Sequence, residues 1–63
     1  MSAAGLWAAV VITLGGAPIS DAQRATFGAG LAELRRLGFF SRGGLTGAGQ
    51  AAYAVALRRW AVR

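Results

Sequence analysis

Ser20-Asp21-Ala22-Gln23-Arg24-Ala25-Thr26-Phe27-Gly28-Ala29-Gly30-Leu31-Ala32-Glu33-Leu34-Arg35-Arg36-Leu37-Gly38 opens with a helix start signal and closes with a stop signal. Ser20 and Gln23 have capping-box spacing: the Ser20 hydroxyl covers an amide of the first turn and Gln23 reaches back. Asp21 in that turn suits the positive end of the helix dipole. Phe27, Leu31 and Leu34 fall at i, i+4 and i+7, one face of a helix. Gly38 suits the position just past the end. The spacing predicts a helix from about Asp21 to Leu37. Gly28 and Gly30 interrupt it, each at a cost of roughly 1 kcal/mol relative to alanine. Either the helix bends or breaks there, or another backbone packs close against it.

Upstream, Ala3 to Leu14 is apolar apart from Thr13 and is closed by Gly15-Gly16-Ala17-Pro18, which cannot continue a helix. Twelve helical residues span about 18 Å, against a hydrocarbon core of about 30 Å, so a membrane span is not expected. Leu6–Leu14 has the look of a signal-peptide core followed by small residues, but no Lys or Arg precedes it. The expected location is therefore the cytoplasm, or the inside of a virion. Leu6, Val10 and Leu14 share one stripe of this helix, and Trp7 and Val11 lie about 100° round from it. A domain this small hides only one stripe. Leu6, Trp7, Val10 and Val11 are thus candidates for contact with another chain, most simply a second copy across a two-fold axis.

Downstream, Phe39-Phe40-Ser41-Arg42-Gly43-Gly44-Leu45 carries a short hairpin signal. If it is extended, Phe39 and Phe40 point opposite ways and one is exposed or at an interface. Thr46 is placed to cap a third helix, from about Gly47 to Ala61. Tyr53, Leu57 and Trp60 form an i, i+4, i+7 row in it, expected to close the core. Ala48, Ala52, Val55 and Ala56 form a small-residue face beside that row. The fold class expected is mainly α, a single domain over 1–63 with three helices and a minimal hairpin. A plain three-helix bundle is the alternative.

Composition narrows the chemistry. The chain has 63 residues, no Cys and no His. That excludes disulfides, zinc fingers and a histidine general base. Asp21 and Glu33 are the only acids, which argues against carboxylate-pair hydrolysis and calcium binding. No enzyme activity, cofactor, metal or small-molecule substrate is expected. Hydrophobic residues make up 56% of the chain, too many for a disordered tail. The net charge is +5, all of its cations arginine. With 15 Ala and 10 Gly, that choice reads as GC-rich codon usage, so the sign of the charge says more than the residue type. Residues 1–33 carry Asp21, Arg24 and Glu33, a net of −1, whereas residues 34–63 carry six Arg and no acid, a net of +6. Such asymmetry points to a polyanionic partner.

The order of signals is also informative. An apolar helix is followed by Gly15-Gly16-Ala17-Pro18-Ile19-Ser20. Then come Leu31-Ala32-Glu33-Leu34-Arg35-Arg36-Leu37-Gly38-Phe39-Phe40-Ser41-Arg42 and Leu45-Thr46-Gly47-Ala48-Gly49. This resembles the winged helix–turn–helix modules of PadR-like and MarR-like regulators. The resemblance implies a recognition helix ending in Leu-x-x-Leu-x-x-x-Gly, a basic wing, and a long helix opened by Leu-Thr-x-x-Gly. It implies duplex DNA as partner and transcription control as role. The chain departs from that pattern in two places. Only eleven positions separate Ser20 from Leu31, where the families fit two helices, and the wing is reduced to Arg42-Gly43-Gly44.

Arg35 and Arg36, opposite Leu31 and Leu34, and Arg42 at the hairpin tip are the candidate phosphate or base contacts. Arg58 and Arg59 extend the set, with Arg63 beyond them and Trp60 able to stack on a base or sit at a membrane interface. The bland readings are a solvated helix face, compensation of helix dipoles and an exposed turn. Three functions remain in play: a small basic nucleic-acid-binding domain, a structural or interaction subunit of a viral particle or other large assembly, and a cationic membrane-active peptide.

Overall fold

The first two helices begin and end where their cap residues dictate, and a threonine cap opens the third. In the computed structural model, which describes residues 1–61, the order is α1 (Ala3–Leu14), α2 (Asp21–Arg36), β1 (Phe40–Ser41), β2 (Gly44–Leu45) and α3 (Gly47–Ala61). The chain is mainly α, three helices with one antiparallel hairpin. The Ser20 hydroxyl accepts from the Gln23 amide at 3.1 Å. The Gln23 side chain reaches one residue past the usual capping box and accepts from the Ile19 amide at 2.8 Å. At the other end, Gly38 takes a φ of 75°. Its amide donates to the Arg35 carbonyl, and the Phe39 amide donates to the Leu34 carbonyl. That is a Schellman stop, with Phe39 packing back near Leu34. Gly15 and Gly16 close α1 on Ile12 and Val11 in the same way.

α2 is one unbroken helix. The two stubs that a helix–turn–helix requires do not form, and Gly30 shows why a glycine is there. A Cβ at Gly30 would lie 2.8 Å from the Ala8 Cβ and against the Ala4 carbonyl. The backbone of α1 packs directly on α2, so Gly30 is a seam residue and not a break. Gly28, two residues earlier, faces open space.

That seam decides which side of α1 is buried. Gly5, Ala8 and Ala9 are buried, with Ile12 partly covered beside them. These four stand at i, i+3, i+4 and i+7, so they share a stripe. Neither stripe of large residues is the inner one: Leu6, Trp7, Val10 and Val11 are half-buried, and Leu14 is 77% exposed. Small residues win because they let two helix axes approach, and the larger side chains then flank the seam.

α3 follows the same rule. Gly49 is buried, and Ala52, Tyr53 and Ala56 are half-buried. A Cβ at Gly49 would sit 2.9 Å from the Phe39 carbonyl carbon. Tyr53 reaches the core, but Leu57 and Trp60, expected to close it, are 40% and 64% exposed. Gly49 draws the first turn of α3 onto the backbone of Phe39, just ahead of β1, and this aims the later turns past the core. Leu34 is the only large side chain fully buried among the described residues. Ile12, Phe27, Phe39, Phe40, Leu45 and Tyr53 pack round it, Ala8 and Ala9. Phe39 and Phe40 are both half-buried: Phe39 precedes the strand, so the strict alternation expected of an extended pair does not apply. The body measures 30 × 28 × 19 Å. Its short axis is about two helix diameters, so no side chain is far from solvent.

Candidate functional site

The hairpin gathers charge at the C-terminal end of α2. β1 and β2 pair Phe40 with Leu45 and Ser41 with Gly44, leaving Arg42-Gly43 as a two-residue loop. Both loop residues have positive φ, 50° and 84°, the signature of the type I′ turn that suits strand twist. Asn-Gly is the usual sequence for such a turn. Arginine in the left-handed region costs roughly 1 kcal/mol or more. The tip of this hairpin therefore carries a cation at a site that disfavours it.

Arg35 lies in the last turn of α2, with its guanidinium carbon 5.4 Å from the centroid of the Phe40 ring. That stacking is worth about 0.5–1 kcal/mol at an exposed site, and it holds Arg35 against the base of the hairpin. Arg36 follows it, exposed, in the same turn. Arg36 faces away from buried Leu34, whereas Arg35, one turn after Leu31 and stacked on Phe40, lies beside the core and not on the opposite face expected from the sequence. Arg35, Arg36 and Arg42 thus share one end of the molecule.

No carboxylate forms an ion pair with Arg35, Arg36 or Arg42 among the described residues, although Glu33, one turn before Arg36, lies close enough for the two charges to interact. Asp21 pairs with Arg24 at 2.9 Å across one exposed turn. Glu33 accepts from the Ser2 amide at 2.8 Å and from the Ser2 hydroxyl. Ser2 is the N-cap of α1 and covers the Gly5 amide, so Glu33 ties the start of α1 to the last turns of α2. The Ser2 hydroxyl, and next the Ser2 amide, hold the Glu33 carboxyl below the usual carboxylate range. Both acids are engaged in holding helices.

Arg58 and Arg59 do not join this end. They are exposed in the last turn of α3, about 16 Å along the helix from its start beside the hairpin. Arg59 lines a different feature, the opening between α1 and α3. The five arginines named from sequence therefore fall into a set of three and a set of two. Arg63 lies outside the described residues.

Of the four residues named on α1, Trp7 packs edge-on to Phe27, with ring centroids 6.0 Å apart at 88°. It belongs partly to the α1–α2 contact. Leu6 and Val10 turn toward α3 and, with Leu57 and Trp60, line an apolar recess. Val11 is half-buried. Sequence reasoning missed Phe40 as the platform for Arg35 and Ser2–Glu33 as the clamp on α1. Neither has a local sequence signal, because both join residues brought together only by the fold. No helix among the described residues is long and apolar enough to cross a membrane. Comparison of the chain with family models, curated proteins and solved structures gave no match.

Proposed function

We propose that this protein binds the backbone of duplex nucleic acid through Arg35, Arg36 and Arg42. The observation that supports the reading is the cation at the hairpin tip. Arg42 occupies a left-handed position where asparagine would fold more easily, and it stands beside Arg35 and Arg36, none of the three held in an ion pair among the described residues. The mechanism is phosphate neutralisation with counterion release. Unbroken α2 offers no separate recognition helix, so base reading is not part of the proposal. A place in transcription control would then come from positioning other components on DNA. The location that fits is the cytoplasm or the interior of a virion.

Fluorescence anisotropy with a short duplex tests this. Three phosphate contacts give a log–log salt slope of about −2.7. Arg42→Asn separates binding from folding. It relaxes the turn, stabilising the chain by about 0.5–1 kcal/mol, while weakening binding and lowering the slope by about 1. Unchanged affinity in Arg42→Asn, or no binding at tens of micromolar protein in low salt, would remove the proposal.

A second reading, an interaction subunit of a larger assembly, is favoured by the exposed apolar side chains of α1 and α3. The two readings use opposite features of the molecule and do not compete for residues.

A further inference from the structure

The opening between α1 and α3 that Arg59 lines has a volume of about 600 Å³, within the roughly 300–1,000 Å³ of small-molecule sites. Leu6, Phe39, Ala52, Val55 and Trp60 make its wall apolar. The Phe39 backbone lies against Gly49 in the first turn of α3, so the opening follows α3 from that turn to Arg59. From Ala51 to Arg59 the helix rises about 12 Å. We propose that this opening binds a single-chain amphiphile with one anionic head group, a fatty carboxylate. Its alkyl chain lies along Ala52, Val55 and Trp60, and its carboxylate accepts from the Arg59 guanidinium. A zigzag chain of roughly ten carbons spans that length of helix.

The charges on the wall select this ligand. Among the described residues Arg59 is the only charged side chain in the lining, and no carboxylate pairs with it. Arg58 is about 100° round α3 from it and lies outside the lining. Met1 also lines the opening, but its α-ammonium acts on Glu33, which Ser2 holds, so those two charges offset one another. One unbalanced cation on an apolar wall matches one anion on an apolar body. An acidic amphipathic helix carries several carboxylates, of which only one finds a partner here. An anionic bilayer presents a broad plane of charge, and a concave wall with one cation meets it poorly.

Decanoate, kept below the concentration at which it forms micelles, is the probe. A ¹H–¹⁵N NMR titration of the full chain without nucleic acid reads both affinity and place. A ligand of this size should bind with a Kd of about 0.1–1 mM and shift Ala52, Val55, the Arg59 side chain and the Trp60 indole. Butyrate, which has the head without the chain, and decyltrimethylammonium, which has the chain with a cation, should each bind at least about ten-fold more weakly. Arg59→Gln should weaken decanoate about five-fold, the upper end for an exposed ion pair, and Arg58→Gln should leave it unchanged. Val55→Glu puts a carboxylate one turn before Arg59, where it pairs with the guanidinium and repels the ligand, and should weaken binding about ten-fold or more. Val55 is 45% exposed and glutamate favours helix, so far-UV circular dichroism should be unchanged. No shift up to about 5 mM decanoate overturns the proposal. So do shifts confined to Arg35, Arg36 and Arg42, or equal losses in Arg58→Gln and Arg59→Gln, which mark a response to net charge alone. Binding to phosphatidylcholine–phosphatidylglycerol vesicles without binding of monomeric decanoate also overturns it and assigns the face to a bilayer.

Discussion

Replacing Gly28 and Gly30 by alanine, one at a time, should move stability in opposite directions. Both sit in the middle of α2, so both changes gain up to about 1 kcal/mol of helix propensity. At Gly28 a new Cβ meets nothing within 4 Å, and the whole gain survives. For a domain of this size that raises Tm by about 4–8 °C. At Gly30 the new Cβ would stand 2.8 Å from the Ala8 Cβ and 2.9 Å from the Ala4 carbonyl carbon. Carbon atoms in contact prefer about 3.5–4.0 Å, so α1 must withdraw by roughly 1 Å. The atom in the way is backbone and has no rotamer to change. Overpacking of this kind costs about 1–3 kcal/mol, and the upper end applies because the seam at Gly5, Ala8 and Ala9 opens with it. After the propensity gain, Gly30→Ala should be destabilised by about 1–2 kcal/mol. Thermal and urea melts followed by far-UV circular dichroism measure both variants. If Gly30→Ala is as stable as the parent chain, or if the two variants shift the same way, the close-packed seam is wrong.

Two further changes test the joints of the fold. Glu33→Gln should lower stability at neutral pH by about 0.3–1 kcal/mol, since the carboxylate sits at the positive end of α1. The folded carboxyl titrates below its unfolded value of about 4.3. Its contribution is therefore complete above that pH and is lost as pH falls through the lower folded value. Melts of both proteins between about pH 6 and pH 2 should show the gap closing, and a gap that persists in acid would refute the clamp. Thr46 accepts from the Gly49 amide at 3.1 Å and donates to the Gly38 carbonyl at 2.8 Å. Thr46→Val should cost about 1–2 kcal/mol by losing a cap and a hydrogen bond. Thr46→Ser should recover most of it in the same melts.

The boundaries of the elements were legible because caps are local chemistry. As caps, Ser20, Gly38 and Thr46 bond to groups three residues away. The inward faces of α1 and α3 were not legible. A helix made of apolar residues all round offers no contrast between sides, so its burial is decided by which side allows closest approach. The signal was present as Gly5, Ala8 and Ala9 opposite Gly30, but it acquires meaning only when the two helices are paired. Leu57 and Trp60 misled for the same reason: their row is the more hydrophobic, but Gly49 determines the direction of α3. At the basic end, Arg35, Arg36 and Arg42 were legible as a charged set because eight residues of chain contain them all. Their separation from Arg58 and Arg59 was not, since it depends on where α3 points.

The lopsided attachment of α3 also has a consequence in time. Its first turn is fixed by Thr46 and by Gly49 lying on Phe39, whereas residues from Val55 onward have little of the core to hold them. Amide hydrogens along this helix should then exchange with solvent through progressively cheaper local openings. Protection at Gln50 and Tyr53 would approach the global value, and at Arg58 and Trp60 it would be governed by unwinding from the C-terminal end. Any molecule that settles against the last two turns must first hold them in helical form. Part of its contact energy is offset by that ordering, and its arrival would register as slowed exchange several residues away from the atoms it touches.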